Sequence, residues 1–203
     1  MNETNFEILT RYFKEEDVKV KANGGRLYKK TKKGQFAPSD ISRLKIGIDA
    51  ILKDGLIDIG KWAEDAGSGD GRTGFLFSGV CDLPCLLVEY DEELFTRSEY
   101  HLANLRQRGF RNAAPIVLVR GDFTKNKTYK KSGIKFDDIG TVFNFWDNEQ
   151  EIARRIAAKS PSRTVFIYRA LFKEDFESLD FIRSVRFSQY GYTSDDLHIY
   201  QKS

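Results

Sequence analysis

The chain has 203 residues, 40% of them hydrophobic and 31% charged, with a formal net charge of +3. That balance suits one globular domain with a substantial core, and the two cysteines, Cys81 and Cys85, are too few for a disulfide framework or a four-cysteine zinc site. No apolar run approaches the roughly 18 residues of a membrane span, and the first residues lack the basic-then-apolar order of a secretion signal, so a reducing, cytoplasmic setting without a membrane partner is expected.

In chain order, residues 5–16 place Phe6, Leu9, Tyr12 and Phe13 on one helical face. Asn23-Gly24-Gly25 breaks the chain, and the basic stretch around Tyr28 reads as a hairpin or loop. Ser39 or Asp40 can cap a helix to about Lys53, because a short oxygen side chain satisfies its free amides. Leu44, Ile48, Ile51 and Leu52 give that helix a buried face, and Gly55 follows its end. A first strand over 60–64 runs into a glycine-rich loop, which launches a helix over 73–81. Pro84 precedes residues 85–88, an apolar run whose shortness and lack of alternation suit a strand buried on both faces.

Residues 98–108 read as a helix with Leu102 and Leu105 inward, stopped by Gly109, and 116–119 as the next strand. A helix over 148–159 ends at Pro161, a strand follows over 164–168, and 176–182 reads as a further helix. Residues 184–200 alternate and contain Gly191, which predicts a terminal hairpin. Strands joined by helices imply an α/β fold with a mainly parallel sheet covered on both faces and ligands at the strands' C-terminal ends. His101, on a helix face, and His198, on a final strand, read as surface or core residues, not catalytic ones.

The stretch Glu64-Asp65-Ala66-Gly67-Ser68-Gly69-Asp70-Gly71-Arg72 carries the chemistry. Its glycines allow positive φ and let a ligand approach where a Cβ would collide. Glu89, at the tip of the next strand, can take both hydroxyls of a ribose, so the pair of features reads as a site for an adenosine-containing cofactor. The spacing is not the G-x-G-x-x-G of a dinucleotide site. Carboxylates at Asp65 and Asp70 would repel a pyrophosphate but suit the ammonium of an amino acid.

This D-x-G-x-G-x-G loop resembles the first motif of the class I S-adenosylmethionine-dependent methyltransferases, and the octet DAGSGDGR is most similar to the small protein lysine methyltransferases of archaeal type. Further segments fall in that family's order. Phe36-Ala37-Pro38-Ser39 looks like the segment that closes over the cofactor, and residues 117–123 look like the third strand, ending in the acid that meets the adenine amino group. Residues 141–146 resemble the fourth strand and the loop beside the reacting methyl, and 164–168 the fifth.

The resemblance implies S-adenosyl-L-methionine as cofactor and a Rossmann-like, seven-stranded, mostly parallel sheet with helices on both faces and a C-terminal antiparallel hairpin. An N-terminal helix and basic extension would span 1–35 and the methyltransferase domain 36–203. It assigns Asp65, Gly67, Gly69 and Gly71 to the methionine end, Glu89 to the ribose, Asp122 with Phe123 to adenine, and Pro38 and Ser39 to the closing segment. Asn144, Trp146 and Phe36 become the candidate catalytic residues, and no metal is required. The chain departs from the family pattern in a first strand less apolar than usual and in its own loop sequence, Phe145-Trp146-Asp147-Asn148.

The family likeness implies a protein lysine amine as acceptor. Tyr28, Phe36, Phe145 and Trp146 are available to line a channel that lowers the lysine's pKa by desolvation and holds its ammonium by cation–π attraction. The loop after the fourth strand lacks the Asn/Asp-Pro-Pro-aromatic sequence of adenine amino methylation and the cysteine of base C5 methylation. Two basic runs, 19–33 and 120–135, are candidates for nucleic-acid phosphates or acidic protein surfaces, or are solvated loops. An RNA or small-molecule acceptor is the alternative, favoured if those runs converge beside the cofactor mouth. A binding module without catalysis is the third reading.

Overall fold

Apolar runs too short and too uniformly hydrophobic for amphipathic helices become the strands of one central sheet. The computed structural model of the chain describes residues 3–146, 148–186 and 196–203. Its strands are β3 (Trp62–Ala66), β4 (Cys85–Glu89), β5 (Ile116–Arg120), β6 (Ile139–Phe145), β7 (Val165–Ala170), β8 (Asp180–Val185) and β9 (Asp196–Gln201), in the order β5-β4-β3-β6-β7-β9-β8. The first five run parallel, and β9 lies antiparallel to both β7 and β8. A separate two-stranded hairpin, β1 (Lys29–Thr31) and β2 (Gly34–Phe36), precedes them.

Helices cover both faces. α1 (Glu3–Ala22), α2 (Ile41–Lys53), α3 (Arg72–Gly79) and α4 (Glu92–Gln107) pack on one side, where Leu9, Phe13, Leu44, Ile48, Phe75 and Leu105 meet Leu87 and Phe143 of the sheet. On the other side α5 (Asn126–Ser132) and α6 (Glu149–Lys159) bring Tyr129, Ile152 and Ile156 against Val88, Val142 and Phe166. Asp40 caps α2 by accepting the Arg43 N–H, and Asp91 caps α4 by accepting that of Leu94. His101 is buried and shares a 2.7 Å hydrogen bond with Tyr12, while His198 pairs with Ser184 at 2.8 Å, so both histidines pack.

The sheet, its helices and its antiparallel end follow the sequence reading, and the basic stretch around Tyr28 is a hairpin. Several boundaries and one element differ. The segment 176–182, expected to be a helix, instead enters β8 at Asp180, because β9 offers it an antiparallel partner and a short apolar run fits either period. The terminal hairpin therefore starts earlier than residue 184, and Gly191 lies outside the described residues. α4 begins at Glu92, ahead of the expected 98, since Asp91 supplies the cap. α5 forms where the second basic run read as a loop. β3 is displaced two residues toward the glycine loop, and its polar Glu64 is buried because Tyr129 Oη donates to it at 2.6 Å.

Candidate cofactor cleft

Strand order reverses between β3 and β6, which opens a crevice at their C-terminal ends. The chain leaves β3 through a loop in which Gly67, Gly69 and Gly71 have φ of +84, +56 and +86. A Cβ on Gly69 would lie 2.5 Å from the Phe36 ring, and one on Gly71 2.5 Å from that of Phe75, so the loop is closed to side chains. Gly67 and Ser68 donate their N–H groups to the Val88 carbonyl at 2.9 and 3.1 Å. Glu89 Oε2 accepts from Gly69 N–H at 2.8 Å and Oε1 from Asp91 N–H at 2.7 Å. Glu89 thus ties the loop to β4; burial raises its pKa and those two N–H groups oppose the rise.

The two loop carboxylates have different fates. Asp70 is bound by Arg72, whose Nη2 lies 2.7 Å from Asp70 Oδ2 and 2.9 Å from Asp17 on α1, with the guanidinium 4.4 Å above the Phe13 ring. Burial works against that guanidinium's charge, but the paired carboxylates outweigh it and raise its pKa. Asp65 is buried with Oδ2 unpartnered. Its pKa stands well above the ordinary carboxylate range, chiefly through burial and then through the charge of Glu89, with the Gly74 N–H opposing. Of the two acids expected to face an ammonium, Asp65 has the free oxygen.

Asn144 donates Nδ2 to the Ala66 carbonyl at 2.7 Å, and its Oδ1 has no partner; Ser68 Oγ is likewise unpartnered. Asp65, Ser68 and Asn144 border one cleft at the C-terminal ends of β3 and β6. Unpartnered buried polar atoms are costly unless a ligand completes them. An ammonium donating to Asp65 Oδ2 would complete one of them, and Glu89, whose oxygens each accept a single N–H, keeps lone pairs for ribose hydroxyls, so the residues fit the amino-acid end and ribose of the expected cofactor.

The hairpin β1–β2 roofs this cleft. Lys33 Nζ lies 3.1 Å from Asp122 Oδ2, Lys29 Nζ bridges Asp91 and Glu93 at 2.8 Å each, and Asn148 donates to the Lys33 carbonyl at 2.7 Å. Beneath it Phe36 covers Gly69, and Ser39 Oγ accepts from Arg169 at 2.9 Å while that guanidinium stacks 4.3 Å over Phe145.

Of the residues singled out from sequence, Phe36, Ser39, Asp65, Gly67, Gly69 and Glu89 line the cleft, as do Phe123 and Asn144. Gly71 stands behind it against Phe75. Asp122 sits at the rim in its ion pair with Lys33, and Pro38 borders a neighbouring cavity beside Tyr100. Trp146 lies outside the cleft wall, 44% exposed, with φ of 63, and Asn148 has φ of 62. Two non-glycine residues held in this region mark a strained loop after β6. Lys29, Lys33, Arg72 and Asn148 act at the site without having been singled out. Their contacts span tens of residues of sequence, and the two lysines counted only as members of a basic run.

Both basic runs reach one open cleft beside this pocket. Lys29 and Lys32 from the first, and Arg120, Lys125, Lys127 and Lys131 from the second, border it. Tyr90, 41% exposed, belongs to both hollows.

No protein-family model matches the chain, and no curated protein matches it in sequence. Solved structures do share its fold. An RNA methyltransferase from Salinibacter ruber in complex with S-adenosyl-L-homocysteine superposes with a TM-score of 0.56 at 15% identity, over 78% of this chain and 91% of that one. A mutant of MtNAS in complex with S-adenosylmethionine gives 0.59 at 15% identity, over 98% and 72%. The precorrin-6y C5,15-methyltransferase from Geobacter metallireducens gives 0.55 at 14% identity, over 86% and 94%. This chain has the Rossmann-like fold that those structures share.

Proposed function

We propose that the chain is an S-adenosylmethionine-dependent methyltransferase. The observation that carries this reading is the buried, unpartnered Asp65 Oδ2 at the mouth of a side-chain-free glycine loop, with Glu89 at the end of the adjacent strand. Asp65 would accept from the cofactor's ammonium, Glu89 from its ribose hydroxyls, and Phe123 with Asp122 would border the adenine. When bound, the cofactor supplies a methyl already activated on a sulfonium. The chain's remaining task is alignment, which alone can lower a barrier by roughly 7–11 kcal/mol. Asn144 Oδ1, without a partner of its own, would accept from an N–H or O–H of the acceptor and so orient its lone pair for in-line displacement. Phe36 and Phe145, in the cleft wall, would exclude water on that side.

Two acceptor classes have support. Convergence of the two basic runs beside the cleft favours RNA, since phosphate binding needs several lysines or arginines on one surface. A protein lysine amine, the acceptor implied by the likeness at DAGSGDGR, is the second reading, supported by the aromatic side chains of Phe36 and Phe145 in the cleft wall. Incubation with methyl-labelled S-adenosylmethionine and cell extract, fractionated into protein, RNA and small molecules, separates them. Label in RNA is expected; label recovered as methyl-lysine would establish the second reading. Label in neither, from protein that binds the cofactor, would leave a small-molecule methyltransferase or a binding module.

A further inference from the structure

We propose that the cleft between β1–β2 and the loops after β4 and β5 is a docking track for single-stranded RNA, offset from the reacting centre. The inference rests on the RNA reading for its role, while its binding is measurable without methyl transfer. The acids that border the cleft are matched: Asp91 by Lys29 at 2.8 Å, Glu93 by Lys29 at 2.8 Å and by Arg97 at 2.9 Å, Glu92 by Arg120 at 2.9 Å, and Asp122 by Lys33 at 3.1 Å. Lys32, Lys125, Lys127 and Lys131 remain as exposed excess charge, and among the described residues none of the four is in an ion pair. Three come from the start and end of α5 and one, Lys32, from the hairpin turn, so the fold brings the first basic run beside the second.

Charge alone would also suit an acidic protein. Tyr90 tips the balance, because its exposed ring lies where the lysine-lined cleft meets the cofactor pocket, and an aromatic beside a phosphate track gives an unstacked base a platform. Stacking on a side chain requires a base freed from a helix, hence a single strand. RNA is preferred over DNA because the loop after β6 lacks the sequence signatures of adenine amino and base C5 methylation. The cleft lies at the ends of β4 and β5, whereas Asn144 is on β6 across β3. The track therefore holds a flank of the strand and not the nucleotide that reacts.

Counterion release sets the expected size. With about four phosphates neutralised, log K against log salt should have a slope near −0.7 per phosphate, or about −2.8, so raising salt from 50 to 200 mM should weaken binding about 50-fold. The test is fluorescence anisotropy of a labelled 20-nucleotide uridine RNA with the full chain, with S-adenosylmethionine affinity measured separately by calorimetry. K125A/K127A/K131A should flatten the slope to about −0.7 and leave the cofactor affinity unchanged. K130A/K135A, from the same basic run but outside the cleft lining, should keep the steep slope. Equal loss in both variants, no salt-dependent RNA binding by the unmodified chain, or tighter binding of a polyglutamate peptide than of RNA would each overturn the proposal. Steep RNA binding without cofactor binding would instead overturn the methyltransferase reading and leave the track standing.

Discussion

Replacing Asp65 by Asn should make the ligand-free protein more stable and a poorer binder at once. Asp65 is buried beside Glu89, and its pKa in the folded chain is well above its ordinary value. Between the unfolded and the folded pKa the native state holds the extra proton, so stability falls as pH rises through that window and stays lowered above it. Each pH unit of elevation costs about 1.4 kcal/mol at higher pH, which for a domain of this size is about 3–6 °C in Tm. Asn keeps an oxygen for the Gly74 N–H and carries no charge, so D65N should melt several degrees higher at pH 7.5. The same substitution removes a charged acceptor worth about 1.5–3 kcal/mol to the bound ammonium, an affinity loss of about 10- to 150-fold. Unmodified protein should also bind S-adenosylmethionine more tightly as pH rises toward the raised pKa of Asp65, because Asp65 must shed its proton; D65N should lack that part of the dependence. Differential scanning calorimetry and ligand titration read both effects. A D65N protein that melts lower, or that binds within twofold of the unmodified chain, would refute the reasoning.

Gly69→Ala puts a Cβ 2.5 Å from the Phe36 ring at a φ of +56, so the hairpin must lift; cofactor affinity should fall at least about tenfold and deuterium uptake over residues 29–36 should rise. Glu89→Ala removes the acceptor of the Gly69 and Asp91 N–H groups as well as the ribose contact, and should cost about 1.5–3 kcal/mol of binding together with a lower Tm; unchanged values for both would contradict the anchoring role. Glu64, buried on the other face, has its pKa pushed up to about 7 by desolvation, opposed by Tyr129 and Arg155. Its contribution to stability is present at low pH and lost as pH rises through about 7, and Glu64→Gln should flatten the Tm-against-pH curve between about pH 4.5 and 7.

The cofactor side of the site was legible because backbone demands are written in residue types. Gly67, Gly69 and Gly71 admit the positive φ that the loop adopts, and Glu89 ends an apolar run that reads as a buried strand. Packing helices were legible from their periodicity, as with Leu44, Ile48 and Ile51. What escaped depends on partners distant in sequence. Asp70 and Asp65 look alike in the motif, yet Arg72 and Asp17 neutralise one and leave the other with a free oxygen. The closure of the hairpin by Lys33–Asp122 and Lys29–Asp91 rests on loops after β4 and β5 that no local pattern brings together. The first half of β8 was read as a helix because its strand character comes from β9, and the run at 125–131 hid α5 because its lysines face solvent and leave a weak apolar stripe.

The most direct test of the account is titration calorimetry of the unmodified chain at neutral pH with S-adenosylmethionine and, in parallel, with NAD. The account predicts saturable binding of one S-adenosylmethionine per chain, weakened in D65N, with no heat from NAD. Binding of NAD with no response to S-adenosylmethionine would contradict it.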